Sequence, residues 1–386
     1  MNAERLHAIV NALKAEGDAK NLVGLMQSLV QGLRTVVQQS NASTQQNLSS
    51  YINSMYAALT DSEVDRFSPA WTQILNEMGG GDLFGGALKQ KIEGIIARNQ
   101  MTPSVAADEL DEIRTRMERF NNALTQASSS FSVLKIGDEK LAPGECEIGM
   151  LIPRDAVHNR LIDFAKELKD LSFILNTFSE VATGHTDDLR IKTISSSDLL
   201  VYLQAHPTYA ACLAVAVERV VALYKQLLEI RKIQVDLQKQ GVPDERTKGI
   251  EDHANQLMDS GIEKVSVEIV REFHKGQDNG RKNELITAVR VSLNGIANRI
   301  DRGYNFEVRC ASLPSADADE EAKKAIASVQ AASANMQFLK LEGSPILKLP
   351  EKKEEIEKNK EKETGKKEVV KKRAVKKETP QEAKGD

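Results

Sequence analysis

The sequence predicts an α+β protein that is predominantly helical, on three observations. Apolar residues recur at helical spacing over long stretches, period-two runs are few and short, and aromatic residues make up only 4% of the chain against 41% apolar. A core built mostly from Leu, Ile, Val and Ala suits packed helices better than a large sandwich or an aromatic-lined cleft. With 386 residues the chain can bury a sizeable core in two or three domains. The pattern divides into a helical region over 1–128, an α+β domain over 129–345 and a Lys/Glu-rich tail over 346–386. The α+β domain is expected to carry a small mixed or antiparallel sheet and a long coiled-coil-like helical hairpin at about 207–275.

The helical region is read from periodicity and punctuation. Leu110, Ile113, Met117, Phe120 and Leu124 alternate spacings of 3 and 4, one stripe of a helix. Thr102–Pro103 supplies its N-cap and first residue, and Ser68–Pro69 does the same for a helix carrying Trp71, Ile74 and Leu75. "NLVGLMQSLVQGLRTVV" is periodic although its glycines weaken it. "MGGGDLFGGALKQK" at 78–91 reads as a hinge or loop.

Near Ser130 the period changes. "FSVLKIG" and "ECEIGMLIP" read as strands, the second with Cys146, Ile148, Met150 and Ile152 on one face. The loop "DEKLAPGE" between them makes a hairpin. Pro153 opens a helix with Val157, Leu161, Phe164, Leu168, Leu171, Leu175 and Phe178 at heptad spacing, closed by Gly184. "LRIKTIS" and "LLVYLQ" are two short strands joined across Ser196–Asp198. From Pro207 a helix of about 50 Å at 1.5 Å per residue carries Leu213, Ala216, Val220, Leu223, Leu227, Ile230 and Leu237, with polar Gln234 in the seam. Gln234 either fixes register, as buried polar residues do in coiled coils, or is an ordinary half-exposed side chain. "QGVPDE" turns the chain into helices at about 245–275 and 281–302, the latter striped with Ile286, Val289, Leu293, Ile296 and Ile300. "NFEVRCA" is a strand, a helix runs from about Asp317 to Ala334, and "FLKLE" is a weak last strand. The order is that of a split β-α-β-β-α-β unit with a helical pair inserted before its last strand.

Charge and cysteine use narrow the function. The tail from Ile346 carries 14 Lys and Arg against 10 Asp and Glu, which leaves an acidic body with a basic tail. Having few large apolar residues and no aromatic one, the tail is expected to be disordered. Cys146, Cys212 and Cys310 are odd in number and far apart, so neither a disulfide framework nor a zinc site is expected and a reducing, cytoplasmic setting fits. The N-terminal residues lack a signal-type apolar core, and no apolar run reaches the roughly 18 residues of a membrane span.

No motif assigns chemistry. "ISSSD" lacks the glycine-flanked elbow of a nucleophilic serine, and Ser196–Asp198 reads as a capped turn. Gly81 and Gly86 have the phosphate-loop spacing, but Ala87–Leu88 stands where Lys–Ser/Thr is required. His185 with Asp187 and Asp188 lacks a third ligand, "ADADEE" at 316–321 reads as an acidic helix start, and Glu145 with Glu147 shares a strand face expected at a solvent edge. The sequence therefore assigns no catalytic, cofactor-binding or metal-binding residue. It favours a non-enzymatic interaction or scaffold protein that self-associates, or meets a protein partner, through its long helices. One alternative is a nucleic-acid-associated factor using "KKEVVKKRAVKK" at 366–377, whose seven basic residues suit phosphate contacts. The other is an enzyme with a site near Arg154, His185, Asp187 and Ser195–Asp198.

Overall fold

The N-terminal periodicity resolves into six helices: α1 (Ala3–Ala19), α2 (Leu22–Gln38), α3 (Ala42–Leu59), α4 (Pro69–Glu77), α5 (Gly85–Arg98) and α6 (Pro103–Val133). The remainder follows as β1 (Cys146–Ile152), α7 (Leu161–Thr183), β2 (Arg190–Ser195), β3 (Leu199–Ala205), α8 (Pro207–Lys239), α9 (Asp244–Phe273), α10 (Asn279–Asp301), β4 (Asn305–Cys310) and α11 (Glu320–Asn335). This computed structural model describes residues 3–186, 189–195, 199–240, 244–276, 278–313, 319–336, 338–339, 341 and 343–352. The charged stretch 353–386, with the basic segment at 366–377 and nearly all of the expected disordered tail, lies outside them. The fold is α+β and mostly helical with a small antiparallel sheet, as the sequence predicts. Two compact units share the chain, one made of 1–159, 188–218 and 304–340, the other of 160–187, 219–303 and 341–386.

In the first unit, the helices α1 to α6 bury one apolar cluster. The predicted stripe on α6 lies inside it, with Leu110, Ile113, Met117 and Leu124 buried against Leu29, Leu33 and Leu88. The cap at Ser68 stands where the sequence puts it: Ser68 Oγ accepts from Trp71 N, and Pro69 occupies the first turn of α4, whereas Thr102 precedes α6 without a side-chain cap bond. The glycine run is a turn and then the start of α5, where the Asp65 carboxylate accepts the Gly86 N–H at 3.0 Å.

The sheet of this unit has the order β2-β3-β1-β4, antiparallel throughout, so β1 is a central strand. One row across it pairs Tyr202, Gly149 and Glu307. A Cβ on Gly149 would lie 2.6 Å from the Tyr202 ring and 2.7 Å from Glu307 Cγ, so only glycine lets these side chains meet. The opposite face carries Ile148, Met150, Val201, Leu203 and Val308, all buried.

One expected strand is absent, a second is only partly described, and one expected helix is divided. "FSVLKIG" is the end of α6: Ile136 N reaches back to Phe131 O and Lys135 N to Ser132 O, with Lys135 at φ 56. That left-handed closure overrides the period-two pattern. The predicted hairpin therefore has no first strand. Phe338 and Leu339 are not in a strand, and the rest of "FLKLE" is only partly described. The helix expected from Pro153 is a short 3-10 turn, Arg154–Val157, and then α7, separated by His158 and Asn159, both at φ 49.

The second unit contains α7, the later part of α8, α9, α10 and the stretch 343–352. The helices α8 and α9 run antiparallel, as Arg219 with Glu272, Leu223 beside Gly261 and Gln234 with Glu251 show. Gln234 is buried, not half-exposed, and bonds Glu251 at 3.0 Å. From Val289 to Asp301 every residue of α10 is buried. Residues 346–349, placed by sequence in the tail, also pack in this unit with Ile346, Leu347 and Leu349 buried.

Candidate functional site

The structure describes only part of the expected enzyme site. Arg154 belongs to the first unit, where its Nη1 bonds Asn159 Oδ1 at 2.7 Å, while His185 belongs to the second, exposed, with Nδ1 3.2 Å from Thr183 O. Ser195 is buried at the end of β2. Asp187, Asp188 and Ser196–Asp198 lie outside the described residues. Among the described residues no group of three or more His, Cys, Asp and Glu could hold a metal ion, and no helix is long and apolar enough to cross a membrane.

Glu147 corrects an expectation. It is not on a solvent edge, because β1 is flanked by strands on both sides. Its carboxylate is 1% exposed and accepts from Arg5 at 2.8 Å and Arg309 at 2.5 Å. Arg5, from α1, also reaches Glu139 at 3.2 Å and lies over the Tyr202 ring at 3.4 Å. Tyr202 Oη donates to Glu307 Oε1 at 2.8 Å, and Glu307 Oε2 takes the Ala70 N–H at 3.1 Å. That N–H belongs to the first turn of α4, where an anion is favoured. Glu145 is on the same face as Glu147 and binds Lys192 at 3.0 Å.

The electrostatics follow from burial and pairing. Burial alone would raise the Glu147 pKa, but Arg309 and Arg5 outweigh it and hold the carboxyl below its ordinary value. Burial opposes the charge on Arg5, yet Tyr202, Glu147 and Glu139 hold its pKa above the usual one. Burial and then Glu307 raise the Tyr202 phenol. A cleft of about 470 Å³ opens beside this cluster, lined by Phe67, Trp71, Glu139, Lys140 and Arg309 among others. Arg309 also stacks on Trp71 at 4.8 Å. Each buried carboxylate here is met by a cation or a hydrogen-bond donor, so the cluster ties α1 and α4 to the sheet.

The cysteines overturn a second expectation. The β1–β4 register sets Cys146 opposite Cys310, with Cα atoms 4.0 Å apart and the sulfurs joined, while Cys212 is free and buried. The sequence separation of 164 between the two hides the pairing from sequence spacing.

The long helices offer the remaining surface. Their heptad residues are largely spent inside the units: Leu171, Leu175 and Phe178 of α7 and Val289, Leu293, Ile296 and Ile300 of α10 are buried. The outer face of α7 is different. Ile162 and Phe173 lie 11 residues apart, three turns, and stay 65% and 62% exposed, with Lys166 and Lys169 between them. Phe173 borders a cleft of about 700 Å³ with Leu285, Ala288, Arg281 and Glu180, and the last two form an ion pair.

Sequence reading missed Asn294, Asn298 and Asp301, buried on α10 beside the stretch 343–351. Their signal was present as a polar stripe at spacings of 4 and 3, read only for its apolar counterpart. Comparison with family models, curated proteins and solved structures finds no match to this chain.

Proposed function

We propose that the chain is a non-enzymatic interaction protein that self-associates through its long amphipathic helices, with α7 as the contact. The observation that carries this reading is the outer face of α7, where Ile162 and Phe173 remain in water on one stripe. With Leu161 they are the three most exposed large apolar side chains described in this unit, and apolar surface left in water is where a contact gains most by burial. Phe173 projects at the rim of an apolar recess formed by Leu285 and Ala288. A two-fold pair needs such self-complementarity, since the same patch faces itself.

Light scattering coupled to size exclusion tests the proposal on the full chain. The expected mass is that of a dimer, reduced to a monomer by Ile162→Lys with Phe173→Lys. Both side chains are exposed, so the unfolding midpoint should stay unchanged. A wild-type chain that stays monomeric at high micromolar concentration would remove the self-association reading.

A further inference from the structure

The stretch 343–351 is bound through its main chain by side chains of α8, α9 and α10. Arg231 Nη2 donates to Gly343 O at 2.9 Å. Asp301 Oδ2 accepts from Ile346 N at 2.6 Å and Leu347 N at 2.7 Å. Asn255 donates to Ile346 O at 3.1 Å and accepts from Lys348 N at 2.7 Å. Asn298 does both for one residue, accepting from Leu349 N at 3.0 Å and donating to Leu349 O at 2.9 Å. Asn294 donates to Pro350 O at 2.8 Å.

The spacing explains why helices can read an extended chain. Asn294, Asn298 and Asp301 stand one turn apart on α10, a step of about 5–6 Å along its axis. Along α10 they meet Pro350, then Leu349, then Leu347 and Ile346, so the segment runs antiparallel to the helix and each turn holds a further part of its main chain. The bidentate asparagine supplies the two bonds that a neighbouring strand would give. Side chains are sorted as well: Ile346, Leu347 and Leu349 are buried, whereas the Lys348 side chain is 79% exposed.

Two features distinguish this groove from a site shaped only by its own segment. Asp301 is held independently of the segment, through Oδ1, by Tyr224 Oη at 2.6 Å and Arg231 Nη1 at 2.6 Å. Its second oxygen thus remains aimed at main-chain N–H groups. Asn294 Oδ1 is buried and has no donor, and the residue that Asn294 reads is a proline, which has no N–H to give. The resident segment leaves one acceptor of the groove unused.

We infer that the groove of α8, α9 and α10 is a receptor for an extended peptide from a partner protein. That peptide has the pattern Ile-Leu-x-Leu followed by a residue that carries an N–H, and the chain's own 343–351 is a weaker occupant placed to compete with it. A tethered segment acts at an effective concentration of millimolar order, so it keeps the groove closed to weak ligands while a better-matched peptide displaces it. This inference rests on other observations than the α7 contact, although Glu351 also lines the cleft beside Phe173.

The test uses the full chain and a fluorescent peptide of sequence 343–352 carrying P350A, with binding read by anisotropy. Leu347→Asp with Leu349→Asp in the chain frees the groove. The freed variant should bind the peptide at least tenfold more tightly than wild type, and adding Asn298→Ala should abolish binding. The P350A peptide should outbind the unaltered sequence about fivefold, the worth of one hydrogen bond, and Asn294→Leu should erase that difference. A freed variant that keeps its helical circular dichroism but binds neither peptide overturns the inference. If the freed variant unfolds, a protease site placed at residues 338–342 of the wild-type chain replaces it. After cleavage, release of the C-terminal fragment by excess P350A peptide supports the receptor, and retention overturns it. A dimer that survives Phe173→Lys and dissociates on adding peptide would identify a second copy as the occupant and overturn the partner reading.

Discussion

Glu147 shows how much one residue can decide. Its carboxylate sits between two guanidinium groups with 1% exposure, so neutralising it removes the anion that Arg5 and Arg309 share. Glu147→Gln should lower the unfolding free energy by about 3–5 kcal/mol, the range for breaking a buried pair from one side. The pH dependence has a definite sign. The folded-state pKa is depressed, so the unfolded chain binds the proton more readily. The stabilisation is complete above the unfolded value of about 4.3 and is lost as pH falls through the folded value. Urea unfolding at neutral pH and at stepped lower pH should therefore show a shallower acid loss in Glu147→Gln than in wild type. Equal acid slopes would mean that other carboxylates carry the acid response. Nothing in the sequence near Glu147 announces this role, because Arg5 and Arg309 lie 142 and 162 residues away.

At the scale of the element, helices were legible and their ends less so. The stripe on α6 and the cap at Ser68 follow from spacing and residue type alone, and the structure keeps Pro103 and Pro69 in first turns, although Thr102 makes no side-chain cap bond. Local pattern failed where a turn outweighed it, as at Lys135, and where pairing came from afar, as for Cys146. The polar ladder of α10 was visible as Asn294, Asn298 and Asp301, but polar residues on a helix ordinarily face water, and only the docked 343–351 stretch reveals their use. Gln234 poses a sharper question at this scale. Its Nε2 is bonded while its buried Oε1 has no partner. If it is only a tolerated polar residue, Gln234→Leu should raise unfolding stability by about 0.5–1 kcal/mol, because it removes an unmatched acceptor. A loss of stability, or a mixture of α8–α9 registers seen by disulfide trapping, would show that the glutamine fixes the pairing.

For the whole molecule, the two units are interleaved along the chain, each assembled from three separate segments. Strand β4 closes the sheet of the first unit only after the helices of the second have been spelled out. Purified without reductant, denatured and alkylated, the chain should therefore label at one cysteine, Cys212, with Cys146 and Cys310 protected by their bond. Labelling of all three would show that the strands pair with both thiols free.

The distance from β1 to β4 also sets a timetable for synthesis. A ribosome adding about 5–20 residues per second needs roughly 10–30 s to pass from Cys146 to Cys310, 164 positions later. Through that interval β1 lacks one neighbour, and Glu147 waits for the second of its two arginines. Completion of this sheet during synthesis is therefore deferred until most of the protein has been made.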